Sequence, residues 1–152
     1  MPLFCTAEEK KIIGWIENVI VMPGNIQFSA KLDTGALTSS INAKNITEFD
    51  RDGKRWVKFE IVNNDKENRV IELPLVRTVK IKRHNRKSQE RHVVKLGICL
   101  ENIYKETEVN LVDRDGFIYK LLIGRKFIKD KFIIDPSEHH ITLPDCEIKA
   151  GD

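Results

Sequence analysis

No run in this 152-residue chain approaches the ~20 consecutive apolar residues that a membrane-spanning helix needs. The N-terminal stretch MPLFCTAEEKK lacks the apolar core of a secretory signal. These two absences predict a soluble, cytoplasmic protein with no membrane partner. Cysteine is scarce: Cys5, Cys99 and Cys146 are odd in number and show no CxxC spacing. They are expected to be reduced thiols that pack as small apolar groups. The net charge is only +3, too little for the total to argue nucleic-acid binding. There is no HExxH or other short zinc pattern, and no GxxxxGK[ST] loop. His139 and His140 are adjacent, and in or near a strand such neighbours point to opposite faces. No metal and no cofactor are therefore expected. Internal repeats, low-complexity linkers and steps in composition are also missing. One domain over residues 1–152 is the expectation, with its core at about 12–145 and loose ends near 1–10 and 147–152.

What is present is a strong period of two. Hydrophobic residues make up 41% of the chain and charged residues 32%, above the usual quarter or so, which suits a well-solvated surface. A chain of this length buries roughly 68–70% of its unfolded surface, so a core needs no staple. Phe28, Ala30 and Leu32 alternate with polar residues, as do Val57, Phe59 and Ile61. Leu73, Leu75, Val79 and Ile81 share one face, and Val94, Leu96, Ile98 and Leu100 another. Val109 and Leu111 lead to a turn at residues 113–116, after which Phe117, Tyr119, Leu121 and Ile123 resume the alternation. Turn signals fall at 23–25, 50–53, 63–65 and 85–88. Short strands separated by such turns predict an all-β sandwich or closed barrel. Only residues 125–131, after Gly124, read as a short helix.

The chemistry resides in Asp33-Thr34-Gly35-Ala36, which ends the apolar strand Ala30-Lys31-Leu32. An Asp-x-Gly turn is common by itself. Here it is matched by Leu121-Leu122-Ile123-Gly124-Arg125, an apolar pair before a glycine, followed by the predicted helix. The two elements together resemble the signature of retropepsins. More narrowly, the chain resembles a microbial retropepsin-like family long labelled an ATP-dependent zinc protease. The similar pieces are Gly14-Trp15, Ala30 to Ser39, Trp56-Val57-Lys58-Phe59, Arg77-Thr78-Val79, Glu90-Arg91-His92-Val93-Val94, Leu121 to Arg125 and Asp135-Pro136. One departure is plain. Leu37 stands where that family usually carries Arg and where viral retropepsins carry an Asp for the Arg of the Gly-Arg element. The partner of Arg125 is thus left open.

The resemblance implies a retropepsin-like closed β-barrel with one short helix near the C-terminus. It implies Asp33 as the catalytic residue, supported by Thr34, Gly35, Ala36, Ile123, Gly124 and Arg125. Thr34 would brace two loops across a dimer axis, and the Ala36 backbone would contact substrate. An isolated aspartate is a poor acid at neutral pH. Two carboxyls held about 3 Å apart share a proton and can act as base and acid together. Only one Asp-Thr-Gly occurs in the chain, so a dyad needs a homodimer about a two-fold axis.

Residues 80–92 concentrate six Lys/Arg and two His. In the retropepsin order of elements they fall at the flap hairpin over the cleft, without the glycine-rich tip of viral flaps. Lys82, Arg83, His84, Arg86, Lys87 and Arg91 are the flap candidates for binding substrate, against the reading of a solvated hairpin edge. Members of the family often accompany an enzyme that ligates glutamates onto proteins, which points to acidic or glutamate-rich peptides. The expectation is a homodimeric aspartic-type peptidase. The alternatives are a non-catalytic binding or assembly module on the same fold and, more weakly, a nucleic-acid binder using the basic hairpin.

Overall fold

The structure is a computed structural model and describes residues 9–147, without the side chains of Arg83 and Arg86. Eleven strands and one helix follow in chain order: β1 (Lys11–Gly14), β2 (Ile16–Met22), β3 (Ile26–Leu32), β4 (Ser39–Arg51), β5 (Lys54–Val62), β6 (Asn68–Pro74), β7 (Arg77–Arg83), β8 (Arg86–Leu100), β9 (Ile103–Val112), β10 (Leu121–Ile123), α1 (Arg125–Ile128) and β11 (Phe132–Asp135). The expected all-β architecture is present, with 61% strand and 3% helix. Strands β10, β3, β2, β8, β9 and β4 form a closed ring, because β10 also pairs antiparallel with β4. Closure leaves no free edge within the ring. Strands β5 and β6 continue outward from β4, and β7 pairs with β8. Strands β1 and β11 make a separate parallel ladder, Lys11 with Phe132 through Gly14 with Asp135.

The alternation places the core. Phe28, Ala30 and Leu32 of β3 are buried, as are Val57, Phe59 and Ile61 of β5 and Val94, Leu96, Ile98 and Leu100 of β8. They join Leu121 and Ile123 of β10 and Phe127 of α1 in one apolar cluster. Fully burying such a side chain contributes about 1.5–3 kcal/mol. The long strand β4 serves two neighbourhoods. Its first residues pair with β9 and β10, and its later ones with β5. A register shift between Lys44 and Thr47, with Asn45 at φ 54°, marks the bend between them.

Several expectations are corrected. The helix stops at Ile128 rather than 131, because Lys129 turns extended (ψ 145°) and Asp130 takes φ 70°. Phe117 and Tyr119 do not continue a strand. Residues 113–120 form a loop held by its own hydrogen bonds, and only Leu121–Ile123 is extended. The hairpin turn lies at His84 and Asn85, with strand resuming at Arg86. His139 and His140 lie in an irregular C-terminal tail, with His140 at φ 52°. Cys99 and Cys146 are joined in a disulfide rather than free. Their separation of 47 residues hides the pairing, which arises because the tail returns to the end of β8, where Asp145 N donates to Glu101 O at 2.7 Å. Most of the ends expected to be loose, and Cys5 with them, lie outside the described residues.

That tail is fastened by a buried carboxylate. Glu17 of β2 is 0% exposed, and its oxygens accept from Gly14 N (2.7 Å), Ile141 N (3.3 Å), Thr142 N (3.1 Å) and Thr142 Oγ1 (2.9 Å). A buried carboxylate is tolerable only when its lone pairs are filled in this way.

Candidate active site

Strand β3 delivers Asp33 to the end of the barrel. Strand β10 runs parallel beside it, Ile123 opposite Leu32, while its other edge meets β4 through Leu121 and Ile41. This wedge position fixes the loop after β3. Asp33 N donates to Ile123 O at 2.8 Å. Beyond it, Arg125 N donates to Ala36 O (2.8 Å) and Lys126 N to Leu37 O (3.0 Å). Gly124 N donates to the buried Ser39 Oγ at 3.1 Å. A Cβ on Gly124 would lie 2.9 Å from Ala36 O and from the carbonyl of Leu37, so glycine is required by close approach of two backbones.

Within the loop, Gly35 N donates to Asp33 Oδ1 at 2.8 Å, and Ala36 N to Asp33 O at 3.2 Å. The first of these bonds orients the carboxylate through an Asx turn. Asp33 is half-buried, while Thr34, Gly35 and Leu37 are exposed. The open question of Arg125 has an answer that needs no acid at position 37: its Nη1 donates to Thr34 O at 2.9 Å. The structure therefore brings Asp33, Thr34, Gly35, Ala36, Ile123, Gly124 and Arg125 together in one place, without the flap candidates.

Beside this loop lies a groove of ≈ 340 Å³ lined by Lys31, Arg114, Gly116, Phe117, Ile118 and Tyr119. Its wall is the 113–120 loop, built around the fully buried Asn42. Asn42 Oδ1 accepts from Arg114 N (2.7 Å), its Nδ2 donates to Val62 O (3.3 Å) and Asp115 Oδ1 (3.1 Å), and its N–H donates to Lys120 O (2.8 Å). Lys120 Nζ donates to the carbonyls of Arg114, Asp115 and Phe117. Arg114 Nε donates to Tyr119 O at 3.0 Å, and its guanidinium lies 4.6 Å from the Phe117 ring centre. Burial, then repulsion from Arg91, lowers its pKa from the ordinary arginine value, while the nearby Asp33 charge acts the other way.

The flap candidates divide. Strands β7 and β8 form the expected hairpin, closing at Arg83 opposite Arg86. Arg91, near its base, is the one whose charge is felt at Arg114. Lys82, His84 and Lys87 are exposed farther out, with no hydrogen bond or ion pair among the described residues. The side chains of Arg83 and Arg86 lie outside what is described. His92 Nε2 meets Glu48 Oε1 at 3.1 Å, anchoring the hairpin base to β4.

Sequence reasoning passed over Asn42, Arg114 and Phe117. Residues 113–116 were legible only as a charged turn. The available signal was their place just before the apolar-apolar-Gly element, which makes them neighbours of Asp33. Among the described residues no group of three or more His, Cys, Asp or Glu is placed to hold a metal ion. His139 Nδ1 and His140 Nδ1 lie 3.0 Å apart without a third such residue. Among the same residues no helix is long and apolar enough to cross a membrane.

Comparison with known proteins places this geometry. A family model described as "RimB-like: Retropepsin-like aspartic endopeptidase RimB" matches residues 12–145. A Shewanella pealeana protein named "Probable alpha-L-glutamate ligase" is 38% identical over 112 residues, covering 72% of this chain and 24% of that protein. A Desulfotalea psychrophila protein of the same name is 35% identical over 133 residues, 84% of this chain and 28% of that one. The chain thus spans about a quarter of the length of the curated relatives it matches. A crystal structure of a Legionella pneumophila protein of unknown function is similar over 89% of this chain and 100% of that one, with a TM-score of 0.77 and 33% identity.

Proposed function

This chain belongs to the RimB-like family of retropepsin-like aspartic endopeptidases, and on that premise we propose that it is a homodimeric aspartic-type peptidase. The observation that carries the reading is the clamped loop. Asp33 N is tied to Ile123 O, Asp33 Oδ1 is oriented by Gly35 N, and Arg125 secures the Thr34 carbonyl. A carboxylate held on rigid strands is what positioned general acid–base catalysis requires. The outer face of the loop, Thr34 and Leu37, is uncovered in one chain, which leaves room for the same loop of a second copy. With two Asp33 carboxyls sharing a proton, one takes a proton from water as the oxygen attacks the scissile carbonyl. The other protonates the carbonyl oxygen. Collapse of the tetrahedral species breaks the C–N bond, and the departing nitrogen takes up a proton.

The substrate class proposed is an acidic, glutamate-rich peptide. The cations Lys31, Arg91 and Arg114 around the site support it, as do the exposed Lys82, His84 and Lys87 of the hairpin. So do the relatives named probable alpha-L-glutamate ligases, which carry a similar stretch. Those names also favour a second reading, in which this fold is a non-catalytic module that binds a ligase product. The Cys99–Cys146 disulfide runs against the cytoplasmic location expected from the sequence, because reducing compartments keep thiols free.

The test is hydrolysis of a glutamate-rich peptide by wild type and Asp33→Asn. Asparagine keeps the shape and loses the titratable carboxyl, so activity falls by at least 10²-fold with the fold retained. Rates rise with the square of protein concentration well below the dimer dissociation constant, and EDTA leaves them unchanged. Turnover that survives Asp33→Asn removes the aspartic assignment. Tight peptide binding without turnover in either protein favours the binding module.

A further inference from the structure

We infer that Arg114 is the carboxylate-recognising group of a subsite beside Asp33, taking an acidic side chain of the residue next to the scissile bond. The inference rests on the peptidase reading and names the group that would read the substrate's charge. Arg114 lines the groove, and Asp33 is close enough for its charge to act on it. No hydrogen bond or ion pair joins the two, and Arg114 makes no ion pair among the described residues. Of the two acids that flank it in the loop, Asp115 is engaged by Lys44 and Asn42, and Asp113 accepts from Asp115 N.

The donors are arranged for an incoming anion. Nε is used by Tyr119 O, so the side chain is held. The face of Phe117 and the bond from Arg114 N to Asn42 Oδ1 hold it further. Among the described residues the two terminal nitrogens have no hydrogen-bond partner, and no buried side-chain nitrogen is left unsatisfied, so both are open to solvent. Those nitrogens form the fork that pairs bidentately with a carboxylate. The guanidinium has lost part of its water to burial, and among the described residues it gains only the nearby charge of Asp33 and no ion pair, which makes an arriving carboxylate worth more than at an open surface. The exposed side chains of Phe117 and Ile118 supply apolar walls for the methylenes that carry an acidic head. Lys31 at the rim adds a second positive charge.

The experiment compares kcat/KM for peptides differing only by Glu or Gln at the residue on each side of the scissile bond. Wild type should prefer Glu by roughly 10- to 100-fold at one of the two positions. Arg114→Met should collapse that preference toward unity, and Arg114→Lys should keep part of it, having the charge without the fork. A Glu/Gln ratio untouched by Arg114→Met overturns the assignment. So does an equal fall on both peptides, which would make Arg114 a support for Asp33 instead. Circular dichroism melts establish that each variant is folded at the assay temperature. If no peptide is cut, the peptidase reading has failed, and the subsite is decided separately by fluorescence anisotropy of the same labelled peptides. Tighter binding of the Glu peptide to wild type, lost in Arg114→Met, supports the subsite. Equal binding of both peptides to wild type overturns it.

Discussion

Replacing Gly124 by alanine tests whether the catalytic loop is clamped as tightly as the backbone geometry implies. The added Cβ meets Ala36 O and the Leu37 carbonyl carbon and oxygen at 2.9 Å. These are main-chain atoms, so no side chain can swing aside, and one backbone must retreat by a few tenths of an ångström. The same retreat stretches the bonds from Gly124 N to Ser39 Oγ, Arg125 N to Ala36 O and Lys126 N to Leu37 O. Overpacking of this kind costs about 1–3 kcal/mol. For a chain of this length that corresponds to a fall in Tm of about 2–12 °C. Gly116 is the internal control, because a Cβ there meets nothing within 4 Å and no positive φ is involved; Gly116→Ala should stay within about 0.5 kcal/mol. Calorimetry or urea unfolding of the two variants reads the difference directly. Because the displaced loop carries Asp33, turnover by folded Gly124→Ala should also drop roughly 3- to 10-fold, scaled from the ~10²-fold cost of a 1 Å misplacement. A Gly124→Ala protein as stable as Gly116→Ala would refute the clamp, and with it the claim that Ile123-Gly124-Arg125 positions the aspartate.

The remaining predictions concern what holds the barrel and its tail. Glu17→Gln puts an amide NH₂ where only donors face it, so unfolding stability should fall by about 2–5 kcal/mol, and hydrogen exchange at Ile141 and Thr142 should quicken; unchanged exchange at both amides counts against the Glu17 fastening. Cys146→Ser opens a loop of 47 residues and should cost up to about 4 kcal/mol; if wild type in dithiothreitol melts as it does without it, the cross-link does not matter to stability. Glu108 is held below the ordinary carboxylate range, first by the hydrogen bond from Arg77, with Lys126 Nζ at 3.7 Å adding to it. A depressed folded pKa means that this contribution is full above the ordinary glutamate value of 4.5 and is lost as pH falls through the lower folded value. Glu108→Gln should therefore lose stability at pH 6 and flatten the fall toward pH 3, and parallel curves for the two proteins would exclude the linkage.

The period-two runs of Phe28 to Leu32, Val57 to Ile61 and Val94 to Leu100 determined on their own that the chain is all-β and which faces turn inward. Burial of alternate side chains is a local property of a strand, so it is written locally. The two motifs around Asp33 and Gly124 pointed to the loop and its brace through their resemblance to retropepsins, since the close approach of Gly124 to the Ala36 and Leu37 carbonyls joins residues far apart in the chain. Tertiary structure alone decided the rest. Strand β4 showed no clean alternation, since a bend at Asn45 hands it from the barrel ring to β5 partway along. The pairing of Cys99 with Cys146 depends on a tail that returns across the barrel and is fastened by Glu17. Arg125 found a main-chain carbonyl in place of the acid missing at Leu37, a partner that no side-chain pattern encodes. Arg114 read as one charge in a turn, and became part of the candidate site only because Asn42, more than seventy positions earlier, holds that turn where the Asp33 charge acts on Arg114. Contacts between residues far apart in the chain carry no period, so only their joint burial in three dimensions reveals them.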